Sequence, residues 1–111
     1  MLSAKYLSHF NIKGVQFKTP SDVLDSNYSL CISNYAFAEF DRQYQDLYAE
    51  KVIANSDRGY MICNFFGRYT IKERPNGMTR REISKLHKNS RILKEDPQSI
   101  EGNFLYTWDK K

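Results

Sequence analysis

A chain of 111 residues, 41% hydrophobic and 14% aromatic, holds enough apolar material for one packed α+β-sized domain and excludes wholesale disorder. No apolar run approaches the ~20 residues that a membrane-spanning helix needs. The net charge of +4 is a local feature: residues 68–94 carry nine Lys or Arg against two Glu, a net +7, whereas 1–67 sum to −1 and 95–111 to −2.

At the start, Leu2, Tyr6 and Phe10 recur at helical spacing, with Gly14 as a stop; Phe10, Ile12, Val15 and Phe17 equally suit two short extended pieces bent at Gly14. The opening MLSAKYLSHF lacks the long apolar segment and small-residue cleavage site of a secretory signal, so a cytoplasmic protein is expected. Thr19, Pro20 and Asp22 read as the cap, first position and first-turn acid of a short helix ending near Asp25 or Ser26. Tyr28 to Ile32 reads as extended.

Ser33 or Asn34 can cap a longer helix, Tyr35 to Ala54. On it Phe37, Phe40, Tyr44, Leu47, Tyr48 and Val52 share one face, opposite Glu39, Asp46 and Glu50. Gly59 to Phe66 has strand composition, Met61, Cys63 and Phe65 alternating with Tyr60, Ile62 and Phe66, with both faces expected to be covered. Gly67 marks a bend before a second strand in which Arg68, Thr70 and Lys72 alternate with Tyr69 and Ile71, and Pro75-Asn76-Gly77 reads as a turn.

Thr79 followed by Glu82 is a capping-box pattern that opens a helix, Arg80 to Lys88, with Ile83 and Leu86 inward and Arg81, Lys85 and Lys88 in a row outward. Such a row can follow a phosphate backbone; the plainer alternative is a solvated helix face. Arg68, Lys72, Arg74, Arg91 and Lys94 adjoin it, and this single-sign clustering favours a polyanion ligand. Phe104, Tyr106 and Trp108 alternate along a last strand. Exposed, they would stack on bases; buried, they would close the core, and burial is the expectation.

TRREISKLHKNSR resembles the helix-turn-helix of small DNA-binding proteins, with His87, Lys88 and Asn89 standing where that motif has its apolar-Gly-apolar turn. The resemblance implies a recognition helix over Ser90 to Asp96 in which Ser90, Arg91 and Lys94 approach base edges, Ile92 and Leu93 pack inward, and the neighbouring strands act as a wing. A second resemblance is to the two strand motifs of RNA-recognition-motif domains, carried by Leu30 to Tyr35 and by Arg58 to Phe65; it implies Tyr60 and Phe65 as base-stacking residues.

No nucleophile-base set, phosphate-binding glycine loop or pair of metal-binding histidines is legible, so neither catalytic residues nor a cofactor is expected. A small endoribonuclease built on His87, Glu82 and Arg81 is the enzymatic alternative. Cys31 and Cys63 lack paired spacing and read as reduced thiols; with His9 and His87 they are too scattered to imply a metal site.

The expectation is a single α+β domain over residues 1–111. Its two main helices would pack on a small antiparallel sheet, in a winged-helix-like arrangement. It would bind nucleic acid, duplex DNA ahead of RNA, through Arg68, Lys72, Arg74, Arg80, Arg81, Lys85, Lys88, Ser90, Arg91 and Lys94, as a regulator or a replication or mobile-element module. A homodimer fits the same reading. The other class is an inhibitor or adaptor that docks its basic face on an acidic protein.

Overall fold

A computed structural model describes residues 5, 8–10, 13–16, 18–22, 26–64 and 77–110. Four strands form one sheet: β1 (Cys31–Asn34), β2 (Arg58–Cys63), β3 (Ser90–Lys94) and β4 (Phe104–Asp109), in the order β1-β2-β4-β3. Helices α1 (Ala36–Glu39), α2 (Arg42–Tyr48) and α3 (Arg80–Ile83) accompany them. The fold is therefore α+β, as the sequence predicts.

The sheet is mixed rather than antiparallel. β1 runs parallel to β2, whereas β4 is antiparallel to both β2 and β3. The helical segment between β1 and β2 carries the chain back to the same end of the sheet, as a parallel pair requires. Within the two strand motifs, Cys31–Asn34 and Gly59–Ile62 thus meet as parallel neighbours, while Phe65 lies outside the described residues.

The expected Tyr35 to Ala54 helix is broken. Tyr35 caps α1 in the left-handed region at φ 69, and Phe40 is extended at φ −71, ψ 150. Asp41 then stands at the N-cap of α2, which continues into a π-helical turn, Ala49–Ile53, where Ala54 N–H reaches the Ala49 carbonyl at 3.0 Å. The break lets Phe40 stack on Tyr48 at 5.3 Å. The Phe37 carbonyl accepts both the Phe40 N–H at 3.3 Å and the buried Gln45 side chain at 3.1 Å. Ser33 contributes as expected, its hydroxyl accepting from Phe37 N–H at 3.1 Å.

Helix α3 begins where the sequence places it. Thr79 Oγ1 accepts from Glu82 N–H, and Glu82 Oε1 accepts from Thr79 N–H. It stops at Ile83 rather than Lys88, because the next polar groups find other partners. His87 N–H donates to the Tyr106 hydroxyl at 2.8 Å, and the Ser90 hydroxyl donates to the Ser84 carbonyl at 3.1 Å. Thr79→Ala removes the side-chain arm of the box, the acceptor for Glu82 N–H, and leaves the Thr79 backbone N–H on Glu82; it is expected to cost about 1 kcal/mol, read as a lower urea midpoint with unchanged slope.

The helix-turn-helix reading fails at its second helix. Ser90–Lys94 is a strand, paired with β4 from Ser90↔Trp108 to Lys94↔Phe104. Five residues alternating between faces, with a long strand beside them to satisfy their backbone, form a ladder more readily than an isolated two-turn helix. Ile92 packs against the core while Leu93 points away and is exposed, so the two do not both face inward. The recognition helix of the winged-helix arrangement is therefore absent, and the expected wing at Arg68 to Lys72 lies outside the described residues.

One face of the sheet is the core. Phe104, Tyr106 and Trp108 are buried there with Met61, Cys63, Phe37, Ile53 and Ile83, so the C-terminal aromatics close the core as expected. Burial pushes the Cys63 thiol up to about 12 and raises that of Cys31. The other face carries Ile32, Tyr60, Ile62, Leu105, Thr107, Arg91 and Leu93 by strand alternation. No described element covers it: Ile32 is 61% exposed and Tyr60 38%, which corrects the expectation that both faces of β2 are covered.

Near the N-terminus, Pro20–Asp22 forms a 3-10 turn, with Asp22 N–H reaching the Thr19 carbonyl at 2.9 Å. Most of the earlier helix and strand expectations lie outside the described residues. Among the described residues no helix is long and apolar enough to cross a membrane.

Candidate functional site

Arg80 and Arg81 stand on α3, Lys85 and Lys88 in the turns that follow, and Arg91 and Lys94 on β3; all six are exposed. None forms an ion pair among the described residues, where the carboxylates of Asp46 and Glu82 are taken by Arg42 and that of Asp57 by Lys110. Unpaired cations at this density repel one another and are stabilised by an external anion.

Their placement follows from the fold rather than from one helix. The capping box starts α3 so that Ile83 is buried against the sheet while Arg80 and Arg81 stay exposed. Lys94 pairs with Phe104 in the β3–β4 ladder, and the Arg80 guanidinium lies 5.3 Å from the centre of the Phe104 ring. α3 and the end of β3 therefore meet over one aromatic, which orients Arg80 by a cation–π contact. Arg91 points to the other face. Ser90 is half-buried and its hydroxyl is already used by Ser84. Arg68, Lys72 and Arg74 lie outside the described residues.

The turn after α3 is built on the core. His87 stacks on Trp108 at 5.8 Å, and its Nδ1 accepts from Asn89 N–H at 3.3 Å. Partial burial, then the neighbouring Lys88 charge, push His87 below its usual value, so the ring favours its neutral form. Glu82 is engaged differently: the Thr79 N–H and then Arg42, whose guanidinium is 2.7 Å from Oε2, hold its carboxyl below the usual range. Of the three residues of the ribonuclease reading, Glu82 is thus bound into the helix start and the α2 contact, while His87 is anchored to Trp108. No hydrogen bond joins the two among the described residues.

Arg58 shares the open face with Arg91, although no pattern in the sequence singles it out. A cleft of about 650 Å³ lies on the open face, lined by Arg58 of β2, Arg91 and Leu93 of β3, Thr107 and Asp109 of β4, and Leu30. Arg58 sits in a segment with Asp57 beside it and no basic neighbour, so only the pairing of β2, β4 and β3 brings it near Arg91. The far end of this face is acidic. Tyr35 donates its hydroxyl to Glu95 at 2.6 Å, and that bond followed by the Ser99 N–H holds the Glu95 carboxyl below its usual range.

No protein-family model, curated protein or solved structure matches this chain.

Proposed function

We propose that the chain is a small nucleic-acid-binding protein that engages duplex DNA through phosphate contacts along the α3–β3 edge. The observation that carries this reading is the set of six exposed cations, Arg80, Arg81, Lys85, Lys88, Arg91 and Lys94, none in an ion pair among the described residues. A duplex carries one phosphate per roughly 1.7 Å of axis, and neutralising each releases condensed counterions, which is how a basic edge acquires affinity. With a strand at 90–94 the recognition helix that would read base edges is not formed, and the reading rests on phosphate contacts. The burial of Phe104, Tyr106 and Trp108 removes the stacking platform that would favour single strands at β4.

The test is fluorescence anisotropy with labelled duplex DNA, single-stranded DNA and RNA over a salt series, for wild type and the Arg81→Ala/Lys85→Ala/Lys88→Ala variant. Duplex binding by wild type should weaken steeply with salt. The variant should show a log-log slope shallower by roughly two to three, at about 0.9 for each phosphate it no longer neutralises, with an unchanged melting temperature. Absence of binding to all three ligands overturns the reading.

A second reading rests on the uncovered apolar face, where Ile32, Tyr60 and Leu93 are exposed: an adaptor or inhibitor that docks on an acidic protein. It predicts a co-purifying protein that survives nuclease treatment and is lost on charge reversal of Arg58 and Arg91.

A further inference from the structure

The two edges of the sheet are treated differently by the sequence. A strand edge left unpaired is a template for another strand, and proteins blunt such edges with charged side chains or proline. β3 is blunted in this way, by Arg91 and Lys94 within five residues. β1, at the opposite edge, reads Cys31-Ile32-Ser33-Asn34 and has no charge, no proline and no glycine. No described strand pairs with its outer side.

The backbone geometry of β1 is set by its neighbour. Tyr35 N–H donates to the Ile62 carbonyl at 2.8 Å, so the alternation of a strand turns the N–H and C=O groups of Ile32 and Asn34 outward, away from β2. The Ile32 side chain lies on the open face and is 61% exposed, and Leu30 before it is 51% exposed. The edge thus offers unpaired backbone groups, exposed aliphatic side chains and no electrostatic barrier.

We infer that β1 pairs with β1 of a second copy of this chain, antiparallel about a twofold axis at Ile32, to give a continuous eight-stranded sheet. About that axis Ile32 faces Ile32 of the other copy and the two exchange both backbone hydrogen bonds; Leu30 then faces Asn34. An isologous contact of this kind needs a self-complementary edge, which an uncharged strand supplies. Charge selects this edge over the other. Pairing β3 with β3 would bring Arg91 and Lys94 of two copies together, and like charges across a ladder are destabilising. Pairing through β1 leaves the two β3 strands at the outer edges, seven strand spacings or about 34 Å apart along the sheet, several Debye lengths at physiological salt.

The inference stands on the sheet edges and does not depend on nucleic acid as the ligand. It is tested by sedimentation velocity of the full chain over a concentration series, without nucleic acid, for wild type, Ile32→Lys and Leu93→Lys. The expected result is a dimer for wild type and Leu93→Lys and a monomer for Ile32→Lys, with the melting temperature of the Ile32→Lys monomer matching that of wild type diluted until it dissociates. Because Ile32 is exposed, lysine fits the monomer without disturbing its core. A wild type that stays monomeric at its highest soluble concentration overturns the inference, as does a dimer that survives Ile32→Lys or dissociates with Leu93→Lys.

Discussion

Gly59→Ala is expected to destabilise the protein by about 3 kcal/mol or more, at the upper end of what overpacking costs, and to lower the melting temperature by more than about 10 °C. Gly59 of β2 pairs with Trp108 of β4, and a β-carbon added at Gly59 would overlap the six-membered ring of that indole. The ring cannot simply swing aside. Its Nε1–H donates to the Ser56 carbonyl at 3.1 Å, His87 stacks on it, and Tyr106 packs beside it at 5.4 Å. Displacing the indole would leave a buried N–H without its acceptor and loosen the turn that carries Lys88. Thermal melts by circular dichroism measure the effect, and a double-mutant cycle with Trp108→Phe isolates its cause. The smaller phenyl ring gives space to the alanine, so the two changes together should cost less than the sum of each alone. Strictly additive costs would show that the clash lies elsewhere.

What the sequence disclosed and what it hid divide by distance along the chain. Thr79 and Glu82 are three residues apart, and a capping box is a local compromise between them and the backbone, so the start of α3 could be read directly. Phe104, Tyr106 and Trp108 have the period of a strand and the size of core residues, and both properties survive folding. The continuous helix expected from Tyr35 fails for a physical reason: its aromatics keep helical spacing across the break. A sign of that break is present in Asp41, a residue type that suits a new N-cap. The stretch Ser90 to Lys94 is too short for its pattern to separate strand from helix. Its state is decided by β4, which follows it in sequence and pairs with it along its whole length.

The candidate site divides in the same way. Charge counting finds the concentration of Lys and Arg, because charge is conserved by folding. It cannot find Arg58, which joins Arg91 only through the order β2-β4-β3. The parallel pairing of β1 with β2 is equally out of reach, since it depends on where α1 and α2 return the chain. That pairing is what leaves an uncharged strand at one edge and a cationic strand at the other.

Gln45→Leu is expected to cost about 1–3 kcal/mol, the penalty of leaving the Met78 N–H without its acceptor and of removing one of the two donors to the Phe37 carbonyl. Gln45 is 1% exposed and joins two parts of the chain: its Nε2 donates to the Phe37 carbonyl at 3.1 Å, and its Oε1 accepts from Met78 N–H at 2.8 Å. The first bond holds the break between α1 and α2. The second fixes the residue immediately before the Thr79 cap, and hence the direction in which α3 presents Arg80 and Arg81. Leucine nearly fills the volume but serves neither group, so the loss can be assigned to hydrogen bonding rather than to a cavity. Gln45→Glu separates the two bonds by pH. Protonated, the carboxyl can donate to Phe37 and accept from Met78, much as the amide does. Ionised, it keeps the Met78 bond but sets a buried negative charge against the Phe37 carbonyl. Burial would raise the folded-state pKa above the unfolded value, so its contribution is fully present below the unfolded pKa and is lost as pH rises through the folded one. The variant should therefore approach wild-type stability in mild acid and fall below it at neutral pH, in urea melts at the two pH values. Because Met78 lies next to the cap of α3, the proposed DNA binding, if it is what wild type shows, should weaken with the stability loss, whereas a substitution such as Thr79→Ala leaves the Gln45 bridge intact and should change it less.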